Sequence, residues 1–437
     1  MTDNEAHKVV IVGGGAGGLE LACKLGRTFG PQHVVLIDKD GGHIWKPSLH
    51  EVAAGTLDIH REGLSYFMLA KDCGFTFVLG EFDALDRQAR TVHVKAVVSD
   101  TQQEIFPARD ISYDTLVLAV GSKSNFFNTP GAEEFAIALD STEEAERFRL
   151  RLLHEIVAAS RRKAEDPDHV LHIGIVGGGA TGVELAAELL EAFTDSVFYG
   201  IHSLQPGKDI RILLLEGGQR ILTALPEKMS AAAEQLLIDR GVMVKTSVRV
   251  AAVEPDALVD SEGNRYPAQL CVWAAGIKAP DFLAGLGLGT NRVGQIIVDG
   301  SLRTTDPAIF AFGDCAQAPW VGTERHLPAR AQVAHQQADF LLETMTQRIR
   351  GKGPAGTREF RFRDYGSLVS VGHSRGVGSL MGVLSGKNWF VEGMLARLMY
   401  MSLHLMHHWA VLGPVRTGLL AIGRLLLKRS APRVKLH

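Results

Sequence analysis

The chain has 437 residues, a net charge of −3 and 46% hydrophobic residues. That length allows two or three cored domains, and so slight a charge does not suggest a nucleic-acid partner. Its four cysteines, Cys23, Cys73, Cys271 and Cys315, form no C-x-x-C or C-x4-C pair. This excludes a local redox dithiol or zinc knuckle, leaves buried thiols in a reducing cytosol, and gives no metal site.

Met1 to Glu5 is polar and acidic, without the basic and apolar segments of a signal peptide, so the bulk of the chain is expected in the cytoplasm. Val9-Val10-Ile11-Val12 then reads as a strand. It stops at Gly13-Gly14-Gly15-Ala16-Gly17-Gly18, and a helical pattern (Leu19, Leu21, Ala22, Leu25) follows at once. Gly13, Gly15 and Gly18 have dinucleotide spacing: a tight turn, a close backbone approach to a pyrophosphate, and a close helix–strand contact. A second apolar run, Val34 to Ile37, ends at Asp38, where a carboxylate can accept hydrogen bonds from a ribose.

Beyond it, His43 to Gly55 contains Trp45, Lys46 and Pro47, followed by a helix start near Leu49. Such residues could surround a flavin ring or form an ordinary loop. Phe75 to Val98 reads as strands with a turn near Asp86-Arg87-Gln88. Tyr113 to Ser122 reads as a buried strand ending at Gly121. Gly131 to Ala145 reads as a connection, with a helix from about Glu143 to Lys163 broken by Asp166-Pro167-Asp168.

The opening pattern then returns. His172 to Val176 is the strand, Gly177, Gly179 and Gly182 have the same spacing, and Val183 to Leu189 begins the helix. Its second strand, Ile212 to Leu215, ends at Glu216. An acid here accepts from an adenosine 2′-hydroxyl and repels a 2′-phosphate, which favours NADH over NADPH. Strands are expected over Val242 to Val253 and Arg265 to Val272, around a turn at Ser261 to Asn264. Cys271 to Gly276 closes this second unit as Leu116 to Gly121 closes the first.

Gln295 to Asp299 and Ile309 to Asp314 read as two more strands. Asp314 is either an acid meeting a ribityl chain or a generic strand-end aspartate. Ala329 to Ala338 reads as helix, with Gln332 and Gln336 one turn apart on a shared face and His335 able to join them. These amides are either solvated or face a polar ligand. Gly351 to Gly356 is a linker, and Phe360 to Val383 alternates as strands. Met394 to Ala410 places Leu395, Leu398, Met399, Leu405, Met406 and Trp409 on one side, with Arg397, Tyr400, His404, His407 and His408 on the other. After Gly413-Pro414, Val415, Leu419, Ile422 and Leu426 form a stripe opposite Thr417, Arg424 and Lys428. The end, Lys428 to Lys435, is basic. Such helices suit an anionic membrane surface, or else face a core or a dimer partner; their polar interruptions argue against a spanning helix.

Two dinucleotide units plus this tail resemble the type II, or alternative, NADH:quinone oxidoreductases, from Lys8 to His437. The resemblance is carried by Val12 to Glu20, His43 to Gly55, Leu116 to Gly121, Val176 to Glu188, Val272 to Ile277, Phe310 to Ala316 and Ala331 to Ala338. The tail, with Tyr400, Met406, His407 and Pro432 to His437, is most similar to the enterobacterial-type branch. The implied fold is α/β, with two Rossmann-like domains and an amphipathic C-terminal region. Residues 1–140 and 277–350 are the expected FAD-binding domain, 141–276 the NADH-binding domain, and 351–437 the membrane-associating region.

The resemblance implies FAD on Gly13, Gly15, Gly18, Asp38, Lys46, Gly121, Asp314 and Ala331. It implies NADH on Gly177, Gly179, Gly182, Glu216 and Gly276. It places Glu184 near the nicotinamide end and Gln332 and Gln336 on the quinone side; His335 or Glu184 could assist proton uptake. The expected activity is respiratory NADH oxidation by a membrane quinone without proton pumping. The enzyme is expected as a peripheral protein, with a homodimer conceivable, on the cytoplasmic face of a bacterial inner membrane, docked on anionic lipid through residues 389–437. A soluble FAD-dependent reductase of a ferredoxin-like acceptor is the rival reading.

Overall fold

The computed structural model describes residues 6–198, 204–352, 358–370, 376–381, 388–392, 402 and 405–427. Tyr400, His404, Arg397 and the basic end from Lys428 lie outside the described residues.

Ten strands build two parallel sheets: β1 (Val9–Val12), β2 (Val34–Asp38), β3 (Thr76–Leu79), β4 (Thr115–Leu118), β5 (Ala136–Ala138), β6 (Leu171–Val176), β7 (Ile210–Leu215), β8 (Met243–Lys245), β9 (Leu270–Trp273) and β10 (Ile309–Ala311). The first sheet has the order β10-β4-β1-β2-β3 and the second β5-β9-β6-β7-β8. Each therefore has its glycine-turn strand at the centre, its closing strand on one side and its acid-bearing strand on the other. β1 is a β-branched run with no residue more than 3% exposed, as expected of a strand covered on both faces.

The first sheet draws β10 from far along the chain, and residues from Ala279 to Met345 share its core. Lys123–Ser124 and Ile277–Lys278 pair antiparallel, so the chain enters and leaves the second lobe along adjacent paths. One expectation fails locally. The connection expected over Gly131 to Ala145 contains β5, which pairs with β9 in the second sheet. Three short apolar residues carry no periodicity, and only the edge of β9 selects them.

The helices that position the site are α1 (Ala16–Phe29), α2 (Leu49–Ala54), α3 (Tyr66–Cys73), α4 (Thr142–Glu165), α5 (Ala180–Phe198) and α6 (Ala331–Ile349). Ser141 caps α4 by accepting from the Glu144 N–H at 3.2 Å. α6 packs on α1 where Gly17 lacks a Cβ, which would stand 2.4 Å from the Phe312 ring and 2.9 Å from the Ala334 carbonyl oxygen.

At the C-terminus, residues 366–370, 376–381 and 388–392 form an antiparallel sheet. Residues 405–412 are helical, Gly413 turns at φ 80°, and α7 (Pro414–Leu427) follows. The tail is fixed to the first lobe. The Arg27 guanidinium donates to the carbonyls of Ala410 and Val411, Arg416 pairs with Asp72, and Val411 is fully buried in the first core. The expected apolar stripe does not face that core: Trp409, Val415, Leu419 and Ile422 are 60%, 73%, 65% and 57% exposed, while His407, His408 and Thr417 are buried. Among the described residues, no helix is long and apolar enough to cross a membrane.

Candidate functional site

The two glycine turns divide their glycines in the same way. Gly13 has φ +101°, and a Cβ there would stand 2.4 Å from the Ala119 carbonyl oxygen; Gly177 has φ +112°, with Ala274 backbone at 2.7 Å. A Cβ on Gly18 would stand 1.9 Å from the Gly13 oxygen, and one on Gly182 would stand 2.0 Å from the Gly177 oxygen. These four are required by the protein's own backbone. Gly15 and Gly179 are different: nothing lies within 4 Å of either added Cβ. Their lack of a side chain keeps space clear beside a helix N-terminus, which is where a pyrophosphate fits.

Each turn is met by its acid. The Asp38 carboxylate accepts from the Gly14 N–H at 2.5 Å and the Asp40 N–H at 2.9 Å. Burial raises its pKa, and those backbone donors oppose the shift. Glu216 accepts from the N–H groups of Gly178 and Gly218, each at 2.6 Å. Both acids thus stand at the ends of their second strands, against the turn.

At the same carboxyl end of the first sheet, the other expected flavin residues converge. The Lys46 ammonium donates to the Ser122 carbonyl at 2.8 Å and approaches Asp140 at 3.4 Å. The Ser122 hydroxyl donates to Asp314 at 2.9 Å, and Gln295 donates to the Asp314 carbonyl at 2.9 Å. Gly121 has φ +71° with open space where its Cβ would be. Ala331 is the first residue of α6, whose buried Gln337 accepts from the Gly313 N–H at 2.9 Å. Gln337 escaped the sequence reading because Gln332 and Gln336 carried the expected ligand face. Gly276, with φ +67°, lies beneath the Phe127 ring, which stands 2.4 Å from its would-be Cβ.

Segment 363–370 joins the expected quinone-side residues. Gln336 exchanges two bonds with the Arg363 backbone, at 2.9 and 3.0 Å. Gln332 makes longer bonds to Tyr365 N–H and the Gly366 carbonyl, at 3.3 and 3.4 Å. Both amides therefore bind backbone. At the end of this segment the Ser370 N–H donates to Glu184 at 3.1 Å. Glu184 is buried between α5, α2 and that strand, with the His50 ring 3.7 Å away. Burial raises its pKa to about 8, so the carboxyl holds a proton at neutral pH. Burial lowers His50 to about 4, keeping it neutral.

His335 does not join the glutamines. It turns to α1, where its Nδ1 lies 2.5 Å from the buried Glu20 carboxylate. The reason is the partner: a carboxylate in the core needs donors, and α6 lies over α1. That bond raises the pKa of His335 against burial. Glu20 was detectable as a lone acid among the apolar residues of α1. Among the described residues, no group of three or more His, Cys, Asp or Glu side chains could hold a metal.

Two nucleotide turns, each with its acid, and the polar cluster of Lys46, Ser122 and Asp314 beside the first define a flavin- and pyridine-nucleotide-linked oxidoreductase. Residues 7–338 match the pyridine nucleotide-disulphide oxidoreductase family model. A type II NADH:quinone oxidoreductase of Haemophilus influenzae is 38% identical over 98% of this chain and 99% of its own length. One from Staphylococcus aureus is 28% identical over 86% and 90%. NDH2 of Plasmodium falciparum, solved in complex with NADH, superposes with a TM-score of 0.76 at 18% identity, covering 93% of this chain and 97% of that one. The sulfide:quinone oxidoreductase of Aquifex aeolicus superposes at 0.69 with 19% identity, covering 93% and 91%, and shares the fold. The chain belongs to the pyridine nucleotide-disulphide oxidoreductases and, within them, to the type II NADH:quinone oxidoreductases.

Proposed function

We propose that this protein is a respiratory NADH:quinone oxidoreductase with FAD on the first glycine turn and NADH on the second. The observation that carries the assignment is the duplicated turn, with Gly15 and Gly179 facing open space and Asp38 and Glu216 in register, in a chain of this family. FAD held there would supply the redox chemistry, hydride acceptance from NADH and two-electron delivery to the quinone. The chain binds, orients and excludes water. Gly177 and Gly182 shape the second turn, Gly179 leaves room for the NADH pyrophosphate, and Glu216 accepts from its ribose. Lys46, Gly121, Ser122 and Asp314 line the flavin end of the first turn. Gln332 and Gln336 fix segment 363–366, whose continuation bonds Glu184. Glu184 is the proton donor this arrangement favours for the quinone, because it is protonated at neutral pH. His335 serves Glu20 instead.

The exposed stripe of Trp409, Val415, Leu419 and Ile422 supports a membrane-surface role for the tail, with the quinone arriving from the lipid. A soluble reductase of a ferredoxin-like protein has no use for that apolar face. The cytoplasmic leaflet of a bacterial inner membrane is the surface we assign. Anaerobic stopped-flow tests the reading: NADH should bleach the flavin and a soluble quinone analogue should recolour it. Persistent bleaching after quinone addition refutes it.

A further inference from the structure

The Gly14 carbonyl, in the middle of the first turn, is gripped from inside the protein. The buried Tyr66 hydroxyl donates to it at 2.7 Å, and the buried His43 ring bonds it as well. In a trans peptide the carbonyl of one residue and the N–H of the next point in opposite directions. Holding the Gly14 oxygen therefore aims the Gly15 N–H outward, into the clear space above Gly15.

His43 is itself held. Its Nε2 lies 2.9 Å from Nε2 of His407, whose Nδ1 lies 2.9 Å from Oε1 of Glu20. Trp45 packs against the His407 ring at 4.4 Å. A carbonyl stands at one end of this chain and a carboxylate at the other, and both only accept. The three hydrogen bonds need three protons, and two neutral imidazoles bring two. The closed chain thus carries one imidazolium, balanced by Glu20. Burial drives His43 well below the usual histidine range. Burial acts to raise the Glu20 carboxyl, but the bonds from His335 and His407 outweigh it and hold it at about 2.

We propose that His43 and His407 are positioning residues for the flavin-phosphate turn, so that docking of helix 405–412 on the first lobe governs how tightly FAD is retained. The proposal rests on FAD occupying the first turn. Loss of one such support should speed FAD release about tenfold, equivalent to ~1.4 kcal/mol.

The experiment follows FAD fluorescence as holoenzyme is diluted. His43→Leu and His407→Leu should release FAD about tenfold faster, while NADH affinity at the second turn stays unchanged. His43→Gln should retain FAD, because its amide can donate to Gly14 and accept from the His407 ring. Wild-type release rates in both leucine variants overturn the proposal. So does equal FAD loss in His43→Gln, or a parallel loss of NADH affinity, which marks general loosening. Where the histidine variants fail to fold, Tyr66→Phe removes only a hydroxyl from the same carbonyl, and unchanged release there overturns the proposal. Wild-type protein that binds no FAD refutes the reading of the first turn, a result distinct from any of these.

Discussion

The division of labour among the glycines is sharpest at the second turn, where two substitutions two residues apart should have opposite effects. Gly179→Ala adds a methyl group where nothing lies within 4 Å, at a backbone angle an L-residue accepts. The fold should lose nothing and should gain up to ~1 kcal/mol from a stiffer unfolded chain. The methyl does enter the space a pyrophosphate needs. Losing one amide–phosphate bond costs ~1.5–3 kcal/mol, or roughly 10- to 150-fold in NADH affinity. Gly177→Ala instead puts its Cβ 2.7 Å from the Ala274 backbone at φ +112°. The left-handed conformation alone costs ~1–2 kcal/mol, and in a lobe of this size each kcal/mol lowers the melting temperature by roughly 2–4 °C. Calorimetry and anaerobic flavin bleaching against NADH concentration separate the two. Flavin content should be normal in Gly179→Ala. Equal destabilisation of both variants, or an unshifted NADH dependence in Gly179→Ala, refutes the assignment.

Glu216→Ser should raise NADPH use about tenfold relative to NADH, a ~1.4 kcal/mol change in discrimination; initial rates with each nucleotide measure it, and an unchanged ratio removes Glu216 from the ribose. Glu184 has a folded pKa of about 8 against 4.5 unfolded, so its contribution to stability is full below pH 4.5 and is lost as pH rises through 8. Glu184→Gln should therefore flatten the decline in melting temperature between pH 5 and 8, and a slope identical to wild type contradicts the burial. Replacing the exposed Trp409, Leu419 and Ile422 together by Ser should free the protein from anionic vesicles in a flotation assay, with turnover on a soluble quinone retained. Continued flotation would show that lipid is not what covers this face.

Both nucleotide units were legible because every signal lies within one strand–turn–helix: β1 to α1 and β6 to α5 depend on neighbours in sequence. The acids were legible for the same reason, since Asp38 and Glu216 end the next strand. Contacts made across the fold were less so. β5 is three residues that only β9 selects. The side to which His335 turns was undetermined, because at ~100° per residue it lies about 60° from Gln332 and fits either face. Its partner, Glu20, is 315 residues away. Gln337 and Tyr66 were invisible for the same reason: each acts on a glycine carbonyl or amide of a distant turn.

The tail shows what periodicity leaves open. Alternating faces establish that a helix has two sides, yet not which side meets the protein. Burying a large apolar side chain is worth ~1.5–3 kcal/mol, so a core-facing stripe would be the ordinary outcome. Here the inner side is polar because the lobe offers polar partners: Glu20 and His43 for His407, and the Arg27 guanidinium for the carbonyls of Ala410 and Val411. Once those contacts fix the rotation of helix 405–412, Trp409 must point away, and Gly413 carries the same polarity into α7, where Thr417 turns inward and donates to the Gly413 carbonyl at 2.8 Å. Val415, Leu419 and Ile422 are thereby left uncovered among the described residues. The contacts that tie the tail to the flavin turn are thus the ones that turn its apolar face outward, and that is why FAD retention and surface docking should respond to the same helix.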